Sequence, residues 1–151
     1  MARVIAVCKS NRKGISKRVI AKGVLKDNYG LIGDAHASSF THRQVSLLTT
    51  ESINKMQDLV LNLSPGDFAE NITCEGLDLG MLSVGTQISI GEETILEVTQ
   101  IGKECHKGCA IFHRVGRCIM PREGIFARVI KEGLVRRGYT IRVLDVDNRD
   151  N

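Results

Sequence analysis

Aliphatic residues occur in this chain as short runs separated by glycine, a spacing that leaves little room for anything but strands joined by tight turns. Fifteen glycines stand against two prolines. Glycine reaches the backbone angles that tight turns need and weakens helix interiors. Residues 4–7, 17–25, 44–48, 86–90, 94–100, 125–130 and 140–146 read as strands, with Val19, Ala21 and Val24 facing inward in the second. Ile88 and Ile90 alternate with polar neighbours, and Gly91-Glu92-Glu93 joins two of these runs as a hairpin. Residues 28–40 contain little that can pack and read as a loop. Residues 71–74 are short and extended, Pro65-Gly66-Asp67 and Pro121-Arg122-Glu123-Gly124 are turns, and residues 133–138 separate the last two strands. Residues 147–151 are polar and fray.

One helix stands out. Thr49 or Thr50 caps it, Glu51 lies in its first turn, and Ile53, Met56 and Val60 share a face through about residue 60. No internal repeat or linker interrupts the chain. The pattern predicts a single mainly β domain over residues 1–151, with a few short helices and a closed or partly closed barrel.

Aromatic residues make up 4% of the chain and tryptophan is absent, so the core is aliphatic and an aromatic platform for single-stranded nucleic acid is disfavoured. The formal charge of +4 suits a small anionic ligand as well as an ordinary solvated surface. The hydrophobic fraction of 42% and charged fraction of 25% match a globular protein rather than a disordered, collagenous or membrane chain. No run near the start has the length of an export signal or membrane span. With five cysteines, an odd number, that predicts a reduced, cytoplasmic protein whose thiols are reactive or metal-binding rather than stapled.

Reactive side chains concentrate between residues 103 and 117. Cys105 adjoins His106 and lies two residues from both Lys103 and Lys107; such cations lower a thiol's pKa and raise its thiolate fraction. Cys109 and Cys118 follow as accessory thiols. A thiolate at Cys105 can ligate a soft metal or accept sulfur as a persulfide. In the competing reading these cysteines are small hydrophobes near a strand end. A structural zinc site from Cys105, Cys109, His113 and Cys118 is a third. Gly33-Asp34-Ala35-His36 and His42-Arg43-Gln44 form a second polar group. Arg43 can fork onto a phosphate and Gln44 can meet a heterocycle edge, or these residues simply serve a turn. In the 65–71 segment, Phe68 plugs the core while Asp67, Glu70 and Asn71 satisfy backbone groups. Arg122 is a candidate anion contact and Arg128 a surface strand residue.

Taken in order, these pieces are more specific than any one of them. Gly30-x-x-Gly33-Asp34-Ala35-His36-Ala37 leads to Arg43-Gln44-Val45-Ser46-Leu47-Leu48 with Glu51, then to Pro65-Gly66-x-Phe68-Ala69-Glu70-Asn71. Leu82-x-x-Gly85-Thr86-x-Ile88, Val98-Thr99-Gln100 leading to Cys105, and Gly124-Ile125-Phe126-Ala127-Arg128-Val129 follow. Over about residues 15–145 the chain resembles a stand-alone MOSC domain, the family named from the C-terminal domain of molybdenum-cofactor sulfurase. The resemblance implies a barrel of the pyruvate-kinase β-barrel type. It also implies binding of molybdenum cofactor (molybdopterin), sulfur carriage, or both, with a wider family association with pyridoxal phosphate. Some bacterial relatives help reduce N-hydroxylated bases. The family's key cysteine falls on Cys105, the implied persulfide carrier or molybdenum ligand, with Lys103 and His106 beside it. Lys103, His106, Arg43 and Arg122 are the candidate anion contacts, Gln44 and Asn71 the candidate ring contacts, and His36 and Lys107 further cofactor-binding candidates. Expected partners are molybdoenzymes, cofactor-biosynthesis proteins or a cysteine desulfurase-type sulfur donor, without nucleic acid or membrane. The alternatives are a non-catalytic cofactor-binding or scaffold module and a zinc-stabilised domain. Where the family has Gly-Asp, this chain has Gly85-Thr86 and Gly138-Tyr139, changes that predict an altered turn hydrogen bond.

Overall fold

The run at residues 4–7 extends in both directions into β1 (Ala2–Lys9), whose Val4, Ala6, Val7 and Cys8 are buried. The computed structural model describes residues 2–13, 15–54, 64–102 and 123–144. Its other elements are β2 (Arg18–Ile20), β3 (Lys22–Lys26), β4 (Gly30–Leu31), β5 (Val45–Thr49), α1 (Thr50–Asn54) and β6 (Ile72–Glu75). A 3-10 turn (Leu79–Met81), β7 (Gln87–Ile90), β8 (Thr94–Ile101), β9 (Ile125–Lys131), β10 (Gly133–Arg136) and β11 (Thr140–Val143) complete it.

Strand pairing runs β1–β6–β5–β9–β8–β7–β11 and closes through β11 onto β1, which makes a seven-stranded barrel. One edge of β1 serves two partners: Ala2 and Arg3 pair with β11, and Val7 to Lys9 pair with β2. Closure removes the unpaired edges that an open sheet would expose. Along β7, β8 and β9 the two-residue period sends Ile88, Ile90, Leu96, Val98, Ile125 and Val129 inward. Each such side chain contributes about 1.5–3 kcal/mol on burial. The predicted 91–93 hairpin is present between β7 and β8. β5 and β6 run parallel, so the chain between them must cross over. α1 begins that crossing: Thr49 Oγ1 accepts the Ser52 N–H at 3.0 Å, and Ile53 is buried. The remainder of the predicted helix, with Met56 and Val60, lies outside the described residues.

Three expectations need correction. Residues 133–138 do not simply separate two strands, since Gly133–Arg136 form β10 and pair with β3. Residues 17–25 do not form one strand. The chain breaks at Ala21, where it stops pairing with β1 as β2 and starts pairing with β10 as β3. The switch of sheet changes which side chains point inward: Val19 and Val24 are 56% and 41% exposed and Ala21 is exposed, while Leu25 is fully buried. The 28–40 loop also contributes to the core. Leu31 of β4 pairs with Leu25 and is fully buried, and both join Val135 of β10 in the same apolar cluster as the barrel interior. β10, β3 and β4 thus form a small second sheet packed on the barrel. In the Gly85-Thr86 turn, Thr86 Oγ1 accepts the Ser83 N–H at 3.1 Å.

Candidate functional site

The polar motifs separate into two places. The first lies where β1 finishes and β5 and β6 begin. Lys17 and Asp34 form an ion pair at 2.8 Å, with neither side chain open to solvent. The Lys17 ammonium also reaches Ser10 Oγ at 3.2 Å and His36 Nδ1 at 2.9 Å. An ammonium can only donate, so His36 Nδ1 accepts and the ring proton of this neutral imidazole sits on Nε2. Asp34 further accepts the Ser10 N–H at 3.0 Å and the His36 N–H at 3.1 Å. Burial opposes the Asp34 charge, but the Lys17 hydrogen bond, the Ser10 N–H and the Lys17 charge outweigh it and hold the carboxyl below its usual value.

The 64–71 segment wraps this cluster. Gly66 takes φ +88°, and a Cβ there would stand 2.1 Å from the Lys17 carbonyl oxygen, so only glycine lets the two backbones meet. The Lys17 N–H donates to the Gly66 carbonyl at 2.7 Å. Glu70, completely buried, accepts the N–H groups of Gly66 and Phe68 and meets the Thr73 hydroxyl at 2.7 Å. Burial nevertheless dominates and raises its pKa. Asp67 accepts the Ser64 N–H, and Phe68 is fully buried, as the turn reading required.

Gln44 and Asn71, the candidate ring contacts, both point into the protein. Gln44 Oε1 accepts the Val129 N–H at 3.1 Å while its Nε2 donates to Asn28 at 3.0 Å. Asn71 Oδ1 accepts the Ser46 N–H at 3.0 Å, and its Nδ2 donates to the Cys8 carbonyl at 3.2 Å. Their exposures are 0% and 1%, so they tie strands together and present no edge to a heterocycle. Sequence reasoning also missed Lys17 and Ser10, because a lysine at a strand start carries no local mark of a buried partner.

The second place is the root of the cysteine segment. β8 ends at Ile101 opposite Ile125 of β9, and the Gly102 N–H donates to the Gly124 carbonyl at 2.7 Å. The departure and return points of the segment between, Gly102 and Gly124, therefore lie side by side, toward the finishing end of β5. There the Ser52 hydroxyl binds the Glu123 carboxylate. His42 Nε2 donates to Gln100 Oε1 at 2.8 Å, and Gln100 Nε2 reaches the Gly102 carbonyl at 2.6 Å. Exposed Arg43 lies 5.9 Å from the centre of the Phe126 ring. The structure thus brings Arg43, but not His36, to the root of this segment. Lys103, Cys105, His106, Lys107, Cys109, His113, Cys118 and Arg122 lie outside the described residues. Arg128 is a surface strand residue, 3.5 Å from Glu97.

A shallow groove of about 370 Å³ adjoins the return point, lined by Glu51, Ser52, Leu77, Asp78 and Glu123 among others. Burial opposes the Glu51 charge, yet the Gly76 N–H at 2.9 Å helps hold its pKa below the usual value. The remaining two cysteines are buried thiols. Burial, then the Glu70 charge, pushes Cys8 up to about 12; burial, then Glu51 and Glu70, does the same for Cys74. Among the described residues no helix is long and apolar enough to cross a membrane, and no cluster of metal-ligating side chains occurs.

The sequence profile of the MOSC domain matches residues 28–144. The fold is similar to that of the YUAD protein from Bacillus subtilis, with TM-score 0.77, 18% identity and 94% of each chain covered. It is also similar to YiiM from Geobacillus stearothermophilus, with TM-score 0.73, 17% identity, and 96% of this chain and 76% of that one covered. YiiM from Escherichia coli gives TM-score 0.70 at 18% identity, over 96% and 70% of the two chains. At such identity the likeness shows the fold alone. No curated protein matches the chain by sequence.

Proposed function

Because the chain belongs to the MOSC domain family, we propose that it works in molybdenum-cofactor chemistry, with Cys105 as the carrier of sulfane sulfur or the thiolate ligand of molybdenum. The observation that supports this most is the state of the other thiols. Cys8 and Cys74 are buried and held as thiols by pKa values near 12. Thiolate chemistry at neutral pH therefore falls to Cys105 and the accessory Cys109 and Cys118. Lys103, His106 and Lys107 supply the neighbouring positive charge that favours the ionised form of Cys105.

In sulfur transfer, the Cys105 thiolate attacks the outer sulfur of a donor persulfide such as that of a cysteine desulfurase. The new S–S bond forms as the donor's S–S bond breaks; the bonding pair stays on the donor sulfur, which takes up a proton. A thiolate on a molybdoenzyme or a cofactor-biosynthesis protein then removes the sulfur by the same exchange. Molybdenum cofactor, when bound, supplies a metal centre that takes a soft sulfur ligand. Among the described residues the donor set suits the anionic end of that group and not its ring. Arg43 offers an exposed guanidinium for a phosphate, whereas Gln44 and Asn71 are committed within the barrel. Lys107 and Arg122 are the further cations proposed for the anion.

The test is to express wild type and Cys105→Ala in cells that make the cofactor, then measure peptide masses and molybdenum content. A mass increase of one sulfur on the Cys105 peptide supports the carrier, and bound molybdenum lost in the variant supports the ligand. Equal sulfur loading and equal metal in both proteins would refute the assignment.

A further inference from the structure

The small sheet has two unlike faces. Leu25, Leu31 and Val135 point inward and are fully buried. On the other face, register sets Leu134 beside Val24 and Arg136 beside Lys22. The Ile32 N–H continues the ladder onto the Val24 carbonyl at 3.0 Å. Leu134, Val24 and Ile32 thus form an aliphatic stripe across three strands, with Val24 and Ile32 41% and 51% exposed. Lys22 and Lys26 stand two residues to either side of Val24 along β3, so cations bracket the stripe at about 7 Å on each side.

This arrangement works against the isolated sheet. Like charges directly opposite one another across two strands are destabilising, and Arg136 faces Lys22. Among the described residues, none of Lys22, Lys26 and Arg136 has a carboxylate within ion-pair distance. The nearest acids in sequence, Asp27 and Glu132, border the face at a turn and a strand end. Arg136 is held over the Tyr139 ring at 5.7 Å, which reduces the entropy lost when it engages an anion.

We propose that this face docks an acidic amphipathic helix of a partner protein. Laid along the stripe, a helix about 10 Å across fits between Lys22 and Lys26, whose positions on β3 are about 13 Å apart at the usual rise per residue. Its apolar side covers Leu134, Val24 and Ile32, and its flanking carboxylates meet Lys22, Arg136 and Lys26. A membrane surface fits less well, because Leu134, Val24 and Ile32 include no aromatic anchor for insertion.

Fluorescence anisotropy with two synthetic helical peptides tests the proposal, one with leucine on one face and glutamate elsewhere, the other with lysine in place of glutamate. The Leu/Glu peptide binds the full-length protein, weakens at high salt, and loses at least tenfold in affinity for Lys22→Glu/Lys26→Glu and for Val24→Ser/Ile32→Ser. Lys22→Gln/Lys26→Gln, which only neutralises the charges, gives an intermediate loss, and circular-dichroism melts establish that each variant is folded. Equal binding of the two peptides, or undiminished binding by the folded charge-reversed protein, overturns the proposal. So does binding to phosphatidylserine vesicles with none to the Leu/Glu peptide.

Discussion

The Lys17 ammonium meets the Asp34 carboxylate at 2.8 Å with both side chains shielded from water, and the same ammonium sets the tautomer of His36. One buried ammonium, which also reaches Ser10, therefore ties together residues 10, 17 and 34–36. The energetics of its contact with Asp34 are those of a pair whose separate halves are far less stable than the whole.

Removing one partner strands a buried charge. Asp34→Ala is expected to cost about 3–5 kcal/mol, and Lys17→Met/Asp34→Leu recovers much of that loss in urea denaturation. The folded pKa of Asp34 lies below its usual 3.8. Its contribution is therefore complete above that value and lost as pH falls through the lower folded value. Wild type loses this contribution in strong acid; the double variant has none to lose.

Glu70 has the opposite sign. Burial raises its folded pKa above the usual 4.5, so its contribution is complete below that value and lost as pH rises through the folded one. Glu70→Gln removes this titration and flattens the pH dependence of stability above the ordinary carboxylate range. A wild-type stability curve with the same slope as the variant there would contradict the assignment.

Thiol modification separates the five cysteines. Iodoacetamide at neutral pH leaves Cys8 and Cys74 unlabelled in the native protein, since burial and a pKa near 12 suppress both access and thiolate. Unfolding in guanidinium exposes both. Peptide mass spectrometry with and without denaturant reads the difference directly.

Gly66 and Gly85 both take a left-handed φ, at +88° and +97°, but their surroundings differ. An added Cβ at Gly85 meets nothing within 4 Å, so Gly85→Ala costs only the backbone strain, about 1–2 kcal/mol. At Gly66 the same atom collides with the Lys17 carbonyl. Gly66→Ala should therefore lose several kcal/mol more than Gly85→Ala in parallel melts, or fail to accumulate as folded protein.

Thr94 is fully buried, and its hydroxyl has no hydrogen-bond partner among the described residues. Thr94→Val keeps the shape and removes the orphaned group, whose desolvation costs about 1–3 kcal/mol. An increase in melting temperature is expected, and a decrease would show that the hydroxyl is satisfied.

The barrel strands were legible because a two-residue period is a local signal: Ile88 and Ile90, or Leu96 and Val98, face inward wherever the sheet eventually closes. Thr49 announced the start of α1 for the same reason, as a cap acts within one turn. The ordered motifs likewise identified the family from residue order alone. The chain's own sequence could not say that Lys17 would abandon its strand for Asp34, or that Gln44 and Asn71 would turn inward to Val129 and Ser46. Partners 17, 85 and 25 residues apart are chosen by barrel closure, which decides which buried polar groups come within reach of one another. The break at Ala21 has the same origin: local propensity favours extended backbone on both sides, and only competition between β1 and β10 for a partner assigns the two halves to different sheets. Local side-chain chemistry thus determined the strands β7, β8 and β9 and their inward faces, while long-range packing determined the split at Ala21, the inward face of β3 and which polar residues serve the interior.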